Sequence, residues 1–289
     1  MHRREMLQRG LLLGTAGLLS GTGFINELYG DSSPMAQEES KMAGDLMELV
    51  IGHVTFSFRW CPAGTFMRGS PLSEAGRLED ERQHQVTLTR GFWMQETPLT
   101  QEMWAAVMGG RSGSFRGDNH PVERLSWNTC DRYIQRINAL EIAPAGYRFS
   151  LPTEAQWEYA CRAGTTTPFY FGNVLTGDTA NFNGAVPSSL NSNGINVGKT
   201  TEVRSYPPNA WGLYDMHGNV WEWCLDWYNL YPRSPVIDPV VLVYRMRRVL
   251  RGGSWYVSAR NCRSAARYFE YPIHQFADTG MRLALVRMG

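Results

Sequence analysis

Apolar and polar positions along this chain alternate in short runs rather than in long stripes. Short runs bounded by turn formers predict strands over Val54–Trp60, Gln85–Leu88, Gly91–Glu96 and Val249–Gly252. Helical spacing predicts three helices. Thr100–Met108 opens on Thr100, carries Glu102 in its first turn and stops at Gly109-Gly110. Ser126–Leu140 opens on an N-cap serine and places Cys130, Tyr133, Ile134, Ile137 and Leu140 at helical intervals. Thr153–Ala163 adds Gln156 at the capping-box position and ends at Gly164. Between Thr165 and Pro208 nearly every position is a turn former. So long an irregular stretch argues against a standard layered fold unless metal ions or disulfides tie it down.

The N-terminus follows another pattern. A basic start, His2 to Arg9, precedes an uncharged run from Gly10 to Phe24, which is too short to span a bilayer comfortably. Residues 1–30 read as an export signal, and Arg3-Arg4 before Glu5-Met6-Leu7 resembles a twin-arginine type. A Sec-type signal and an uncleaved anchor are the alternatives. The first cysteine is Cys61, so no lipid anchor is expected, and no clean A-x-A site marks a release point. Export to the periplasm or cell surface is the expectation, with membrane contact only through an uncleaved signal. Residues 31–53 read as a polar linker, and 54–289 as one domain without repeats.

Composition narrows the function classes. The 289 residues carry 28 basic and 27 acidic side chains, a net charge of +1, which removes the electrostatic case for nucleic acid. Aromatic residues at 12% exclude a disordered chain. The 29 glycines and 10 tryptophans suggest irregular backbone pinned by large rings. Five cysteines contain no C-x-x-C pair, and six histidines contain no H-E-x-x-H. Neither G-x-S-x-G nor a P-loop occurs, so no catalytic residue is assigned. The run Asp215-Met216-His217-Gly218-Asn219-Val220-Trp221-Glu222 could offer carboxylates from Asp215 and Glu222 and carbonyls from Gly218 and Val220. Hard cations such as calcium take that all-oxygen set, although spacing alone reads more readily as a surface turn.

Five runs in order change that balance: Cys61–Ser70, His120–Trp127, Leu151–Gly164, Pro208–Trp223 and Arg251–Trp255. Together they resemble the formylglycine-generating enzyme (sulfatase-modifying factor) family, from about Val54 to the C-terminus. The resemblance implies an α+β, C-type-lectin-related fold with little regular secondary structure, ordered by structural calcium. One implied site uses Asp215, Glu222 and the carbonyls of Gly218 and Val220. A second uses Asn181 and the carbonyl of Phe182, with further ligands from about Ser192–Val197. It also implies a Cys224–Cys262 disulfide, because their motifs are neighbours in the family fold, with Cys61, Cys130 and Cys161 reduced. Family enzymes oxidise a cysteine with copper held by two thiolates shortly after Arg-Gly-Gly-Ser. Here Val257 stands at the first of those positions and only Cys262 follows, so copper is not expected.

The last forty residues also resemble variable proteins of diversity-generating retroelements. Fixed runs Arg251–Trp255, Asn261–Ala265 and Gly280–Ala284 alternate with odd runs Tyr256–Ser258 and Ala266–Asp278. Tyr, Val, Ser, Ala, Phe, Ile, His and Asp, concentrated in the odd runs, are reached by changing the adenines of AAC codons, although most residues are reachable that way. Non-catalytic family members end similarly. This resemblance makes 251–289 a candidate ligand-binding segment, with Trp255, Tyr256, Val257, Ser258, Tyr268, Phe269, Tyr271, His274 and Phe276 as candidate contacts for an unknown protein or small molecule. Rigid aromatics supply contact area at low entropic cost. About a third are expected to pack the core instead. An enzyme of the same family, either a formylglycine-generating oxidase or a copper-independent oxidoreductase or maturation factor, is the alternative, and a secreted scaffold is a third.

Overall fold

A computed structural model describes residues 40–192 and 194–288; the export signal expected at 1–30 lies outside the described residues. The N-terminal strands are β1 (Leu46–Ile51), β2 (Val54–Cys61), β3 (Gly64–Arg68), β4 (His84–Leu88) and β5 (Phe92–Gln95). Helices α1 (Gln101–Met108) and α2 (Trp127–Asn138), strand β6 (Tyr147–Ser150) and helix α3 (Glu154–Arg162) follow. The C-terminal part holds β7 (Leu175–Thr176), β8 (Asn191–Ser192), β9 (Trp221–Trp227), β10 (Val236–Ile237), β11 (Arg248–Arg251), β12 (Tyr268–Glu270), β13 (Thr279–Gly280) and β14 (Ala284–Arg287). No helix among the described residues is long and apolar enough to cross a membrane.

Local chemistry accounts for the helices. Thr100, Ser126 and Thr153 each accept a backbone N–H of the first turn through the side chain, and Gln156 closes a full capping box on Thr153. The four expected strands correspond to β2, β4, β5 and β11. Residues 46–51, placed in the linker by sequence, are instead strand β1, paired antiparallel with β2 from Leu46–Arg59 to Ile51–Val54. Alternate residues Met47, Leu49 and Ile51 pack on the core while the others face out, as an edge strand requires.

The main sheet has the order β1-β2-β5-β14-β6, so the last strand lies between elements from the first half of the domain. A four-stranded sheet, β12-β11-β9-β13, carries the candidate site. Within it β9 alternates: Trp221 and Trp223 enter the main core with Leu125, Leu250 and Leu283, while Cys224 points into a second cluster with Trp157 and Val249. From Thr165 to Pro208 the only regular pieces among the described residues are the two-residue strands β7 and β8.

Buried side chains tie the irregular segments. Arg251, Arg263 and Arg282 are wholly buried. Arg263 bonds Glu74 at 2.6 Å and also pairs with Glu81. Arg267 meets Glu154 at 2.6 Å, and Arg68 reaches the same carboxylate at 2.7 Å. The Asn209 amide donates to the Ala160 carbonyl at 2.7 Å, and its oxygen accepts from the Trp211 and Leu213 N–H groups. His217 donates Nδ1–H to the Cys262 carbonyl at 2.7 Å and accepts the Tyr170 N–H on Nε2 at 3.1 Å. Both partners are backbone atoms, so this tautomer is fixed and the ring is neutral, and burial pushes its pKa down to about 3.

Candidate functional site

Most odd-run positions are more exposed than the fixed runs, but Ala266 and Arg267, which open the second odd run, are buried. Residues 262–267 are buried without exception, as are 279–285, whereas Tyr256 and Tyr268 are exposed and every residue from Phe269 to Asp278 is exposed or partly so. Tyr256, Tyr268 and Phe276 expose 66%, 44% and 43% of their surface. A cleft of about 310 Å³ opens here, lined by Tyr256, Val257, Tyr268, Phe276 and Asp278 together with Trp221, Asn261 and Thr279. Trp221 stacks on Tyr268 with centroids 5.3 Å apart. Asp278 accepts the Ser254 hydroxyl at 2.7 Å, and burial raises its carboxyl above the usual range.

The candidate contacts divide between this cleft and its surroundings. Trp255 stands behind Tyr256, edge-on at 5.4 Å, and donates its indole N–H to the Ala277 carbonyl. Ser258 precedes the 3₁₀ turn Ala259–Cys262 and does not line the cleft. Phe269 does not line the cleft; its ring lies 6.0 Å from that of Tyr268 and packs on Tyr228 at 4.2 Å. Tyr271 joins it there, the two rings sharing the Arg247 guanidinium at 5.0 Å each. His274 bonds Glu270 at 2.9 Å and bridges from Tyr271 toward Phe276. The predicted cluster therefore divides into a cleft and a flanking patch. Trp221 and Asn261 belong to the fixed motifs, and nothing in their spacing marks them as cleft residues.

The position at which the family resemblance places the first copper thiolate is apolar here. Val257 packs between two hydrophobic clusters, and its carbonyl accepts the Asn183 N–H. Cys262 is buried under Gly253, where a Cβ would fall 2.4 Å from its sulfur. Burial pushes this thiol up to about 12. A copper(I) site needs two thiolates converging, and the residues present do not supply them.

The expected disulfide is corrected. All five cysteines are free and buried. Cys224 belongs to the second cluster and Cys262 to a third, with Phe169, Phe182 and Leu190, because β9 turns Cys224 away from the Cys262 side. The Cys161 thiol lies 3.6 Å from the Ser264 hydroxyl and 3.9 Å from His217 Nε2. Intact-mass analysis after alkylation in denaturant without reductant is expected to find five modified thiols. A species two alkyl groups short would restore a disulfide.

The oxygen-rich turn is buried. Asp215 has φ 55°, accepts the Arg204 N–H at 3.0 Å and lies 3.4 Å from the Asn219 amide. Burial, reinforced by nearby Glu222 against the pull of the Arg204 N–H and Arg282, raises its carboxyl to about 6. Asn219 also reaches Asn181 at 3.4 Å, so it links the two implied calcium sites. Asn181 donates its amide to the Lys199 carbonyl, which fixes the orientation and leaves a buried Oδ1 without a donor among the described residues. A desolvated carboxylate and an orphaned amide oxygen fit an oxygen-seeking cation. Glu222 fits less well: Arg282 binds both its oxygens at 2.8–3.1 Å and the Trp157 indole adds 2.7 Å. The Phe182 carbonyl accepts the Gly184 N–H. Gly218 approaches Asn181 so closely that a Cβ would fall 2.2 Å from its carbonyl oxygen. Val220 is buried beside it. The Lys199 carbonyl and the Thr201 hydroxyl reach the Asn181 side chain.

Comparison with known proteins accords with this architecture. The family described as sulfatase-modifying factor enzyme 1-like domain matches residues 57–287. A formylglycine-generating enzyme of Streptomyces coelicolor is 38% identical, over 63% of this chain and 57% of the relative. That of Mus musculus is 32% identical, over 70% of this chain and 53% of its own length. The chain thus spans little more than half of these relatives. Among solved structures, Treponema denticola variable protein 1 superposes with a TM-score of 0.69 at 27% identity, covering 83% of this chain and 98% of that one. PvdO from Pseudomonas aeruginosa gives a TM-score of 0.71 at 26% identity, covering 86% and 100%. With a family match across most of its length, the chain belongs to the sulfatase-modifying factor enzyme 1-like family, on a fold shared with a variable protein.

Proposed function

We propose that this protein is an exported, calcium-ordered binding protein that uses its C-terminal face for ligand recognition and lacks the copper oxidation of its enzymatic relatives. One observation carries this reading: residues 262–267 and 279–285 are buried while Tyr256–Ser258 and Tyr268–Asp278 are not, so side chains in those two exposed stretches can change without repacking the frame, of which Ala266 and Arg267 of the second odd run are part. The likeness to a variable protein supports it, as does the absence of a thiolate pair at Val257 and Cys262. Export rests on the twin-arginine-like start, outside the described residues. The family's formylglycine-generating relatives favour the second reading, an oxidoreductase or maturation factor with other chemistry.

Tyr256→Ala should move stability by no more than ~0.5 kcal/mol, as exposed side chains away from special features do. Tyr268→Ala loses its stack on Trp221 and should cost up to about 1.5 kcal/mol. Thermal melts of both variants test the face: losses as large as those of core tryptophans would make these rings packing residues. Incubation with copper(I), oxygen and a cysteine peptide should leave the peptide thiol intact. Conversion to an aldehyde would establish the enzyme reading.

Calcium should raise the melting temperature, by the equivalent of roughly 2.7 kcal/mol at a hundredfold excess over its dissociation constant. Asp215→Ala should abolish that response. An unchanged calcium shift in this variant would remove Asp215 from the site.

A further inference from the structure

The cleft between Tyr256, Tyr268 and Phe276 has a chemical signature that narrows its ligand. Its lining combines four aromatic rings, including Trp221, with the Asp278 carboxylate and the Asn261 amide, and no lysine or arginine enters it. The rings come from four separate segments: Trp221 from β9, Tyr256 from the loop after β11, Tyr268 from β12 and Phe276 from the loop before β13. They therefore surround the cavity rather than forming one plane.

We infer that this cleft recognises an organic cation, a quaternary or methylated ammonium group, held by the ring faces and by Asp278; the inference rests on reading this face as the binding surface. Aromatic faces carry the negative end of a quadrupole, and they attract a cation most when it has left water. Asp278 adds a full charge. One of its oxygens takes the Ser254 hydroxyl, and the other lies only 3.5 Å from the Thr279 hydroxyl, so the carboxylate keeps capacity for a cation at the cleft floor. An anion would meet that carboxylate with no basic side chain to offset it.

A sugar fits less well. Sugars favour an open flat ring, whereas Trp221 and Tyr268 stack on each other with an interplanar angle of 29°. A cavity of about 310 Å³ also suits a compact head group better than a folded segment. The flanking patch already holds a cation, where the Arg247 guanidinium lies 5.0 Å from the centroids of both Phe269 and Tyr271.

Calorimetric titration of the full chain with choline, its neutral isostere 3,3-dimethyl-1-butanol and methyl α-glucoside tests the inference. Choline is expected to bind about tenfold or more tightly than the isostere, the ratio that a desolvated cation–π contact supplies. Asp278→Asn and Tyr268→Ala should each weaken choline severalfold, with Asp278→Asn leaving the melting temperature unchanged. Equal binding of choline and isostere, both lost in Tyr268→Ala, would overturn the cation class while keeping the cleft as a binding site. Binding of the glucoside alone would do the same in favour of a sugar. Failure of all three probes would overturn the cation class; the binding-face reading would then stand or fall on the Tyr256→Ala and Tyr268→Ala melts.

Discussion

Glu154→Ala is expected to cost about 3–5 kcal/mol, enough to leave little folded protein at ambient temperature. Glu154 is buried at the start of α3, where its carboxylate meets Arg267 at 2.6 Å, Arg68 at 2.7 Å and the Tyr231 hydroxyl at 2.9 Å. Removing one negative charge from this cluster leaves buried guanidinium groups without compensation, and that penalty exceeds the net worth of the pair itself. Urea denaturation measures the loss, and a change below ~1 kcal/mol would show that water reaches the arginines. The same site predicts acid sensitivity. Burial alone would raise the Glu154 carboxyl, but the Arg267, Arg68 and Arg251 charges overcome it and hold the group well below the usual carboxylate range. Its folded-state pKa is therefore depressed, so the stabilisation is complete above its ordinary value of 4.5 and is lost as pH falls through the folded value. Glu154→Gln keeps the shape and should show a flatter decline in urea midpoint between pH 7 and pH 3. Parallel declines in wild type and variant would assign the acid response to other carboxylates.

Trp223→Ala is expected to be comparably damaging, at about 3–5 kcal/mol for a deleted core indole. Trp223 is wholly buried in β9 and donates its N–H to the Leu125 carbonyl at 2.8 Å, joining the sheet of the candidate site to the segment before α2. Truncation opens a cavity and strands that carbonyl, which adds a further ~1–3 kcal/mol if no water enters. Set against Tyr256→Ala, two residues from the Arg-Gly-Gly-Ser motif, this variant calibrates what a core ring is worth. The expected separation is several kcal/mol. Similar losses at Trp223 and Tyr256 would mean that the C-terminal face is packed rather than presented. Trp221 is a poorer comparator, because it belongs to the core and lines the cleft at once.

Local signals carried the helices and the central strands into the structure with little change. Thr100, Ser126 and Thr153 cap as their spacing predicts, because an N-cap depends only on residues within one turn. The order of fixed and odd runs followed burial in part: residues 262–265 and 280–284 are buried and Tyr268–Asp278 is not, but Ala266 and Arg267, assigned to the odd run, are buried with the frame. Edge strand β1 was obscured because its alternation, half exposed, sits beside polar sequence.

Three features were decided only by the tertiary structure, each for the same reason: distant segments choose the partner. Cys224 and Cys262 occupy motifs that neighbour each other, yet β9 turns the Cys224 thiol into another cluster, and side-chain direction follows strand parity rather than proximity of backbone. Tyr268 and Phe269 are adjacent in the chain, yet Tyr268 stacks on Trp221 in the cleft while Phe269 packs on Tyr228. The irregular stretch from Thr165 to Pro208 was expected to need metals or disulfides. Among its ties in the folded chain are the Asn181 amide and His217, while neighbouring loops are held by the Asn209 amide and by buried arginines such as Arg263. A composition of glycines and tryptophans determined that this backbone would be irregular and anchored. Which polar groups satisfy it depends on hydrogen bonds spanning up to 189 residues of chain, as between Arg263 and Glu74, and no local pattern encodes a pairing at that range.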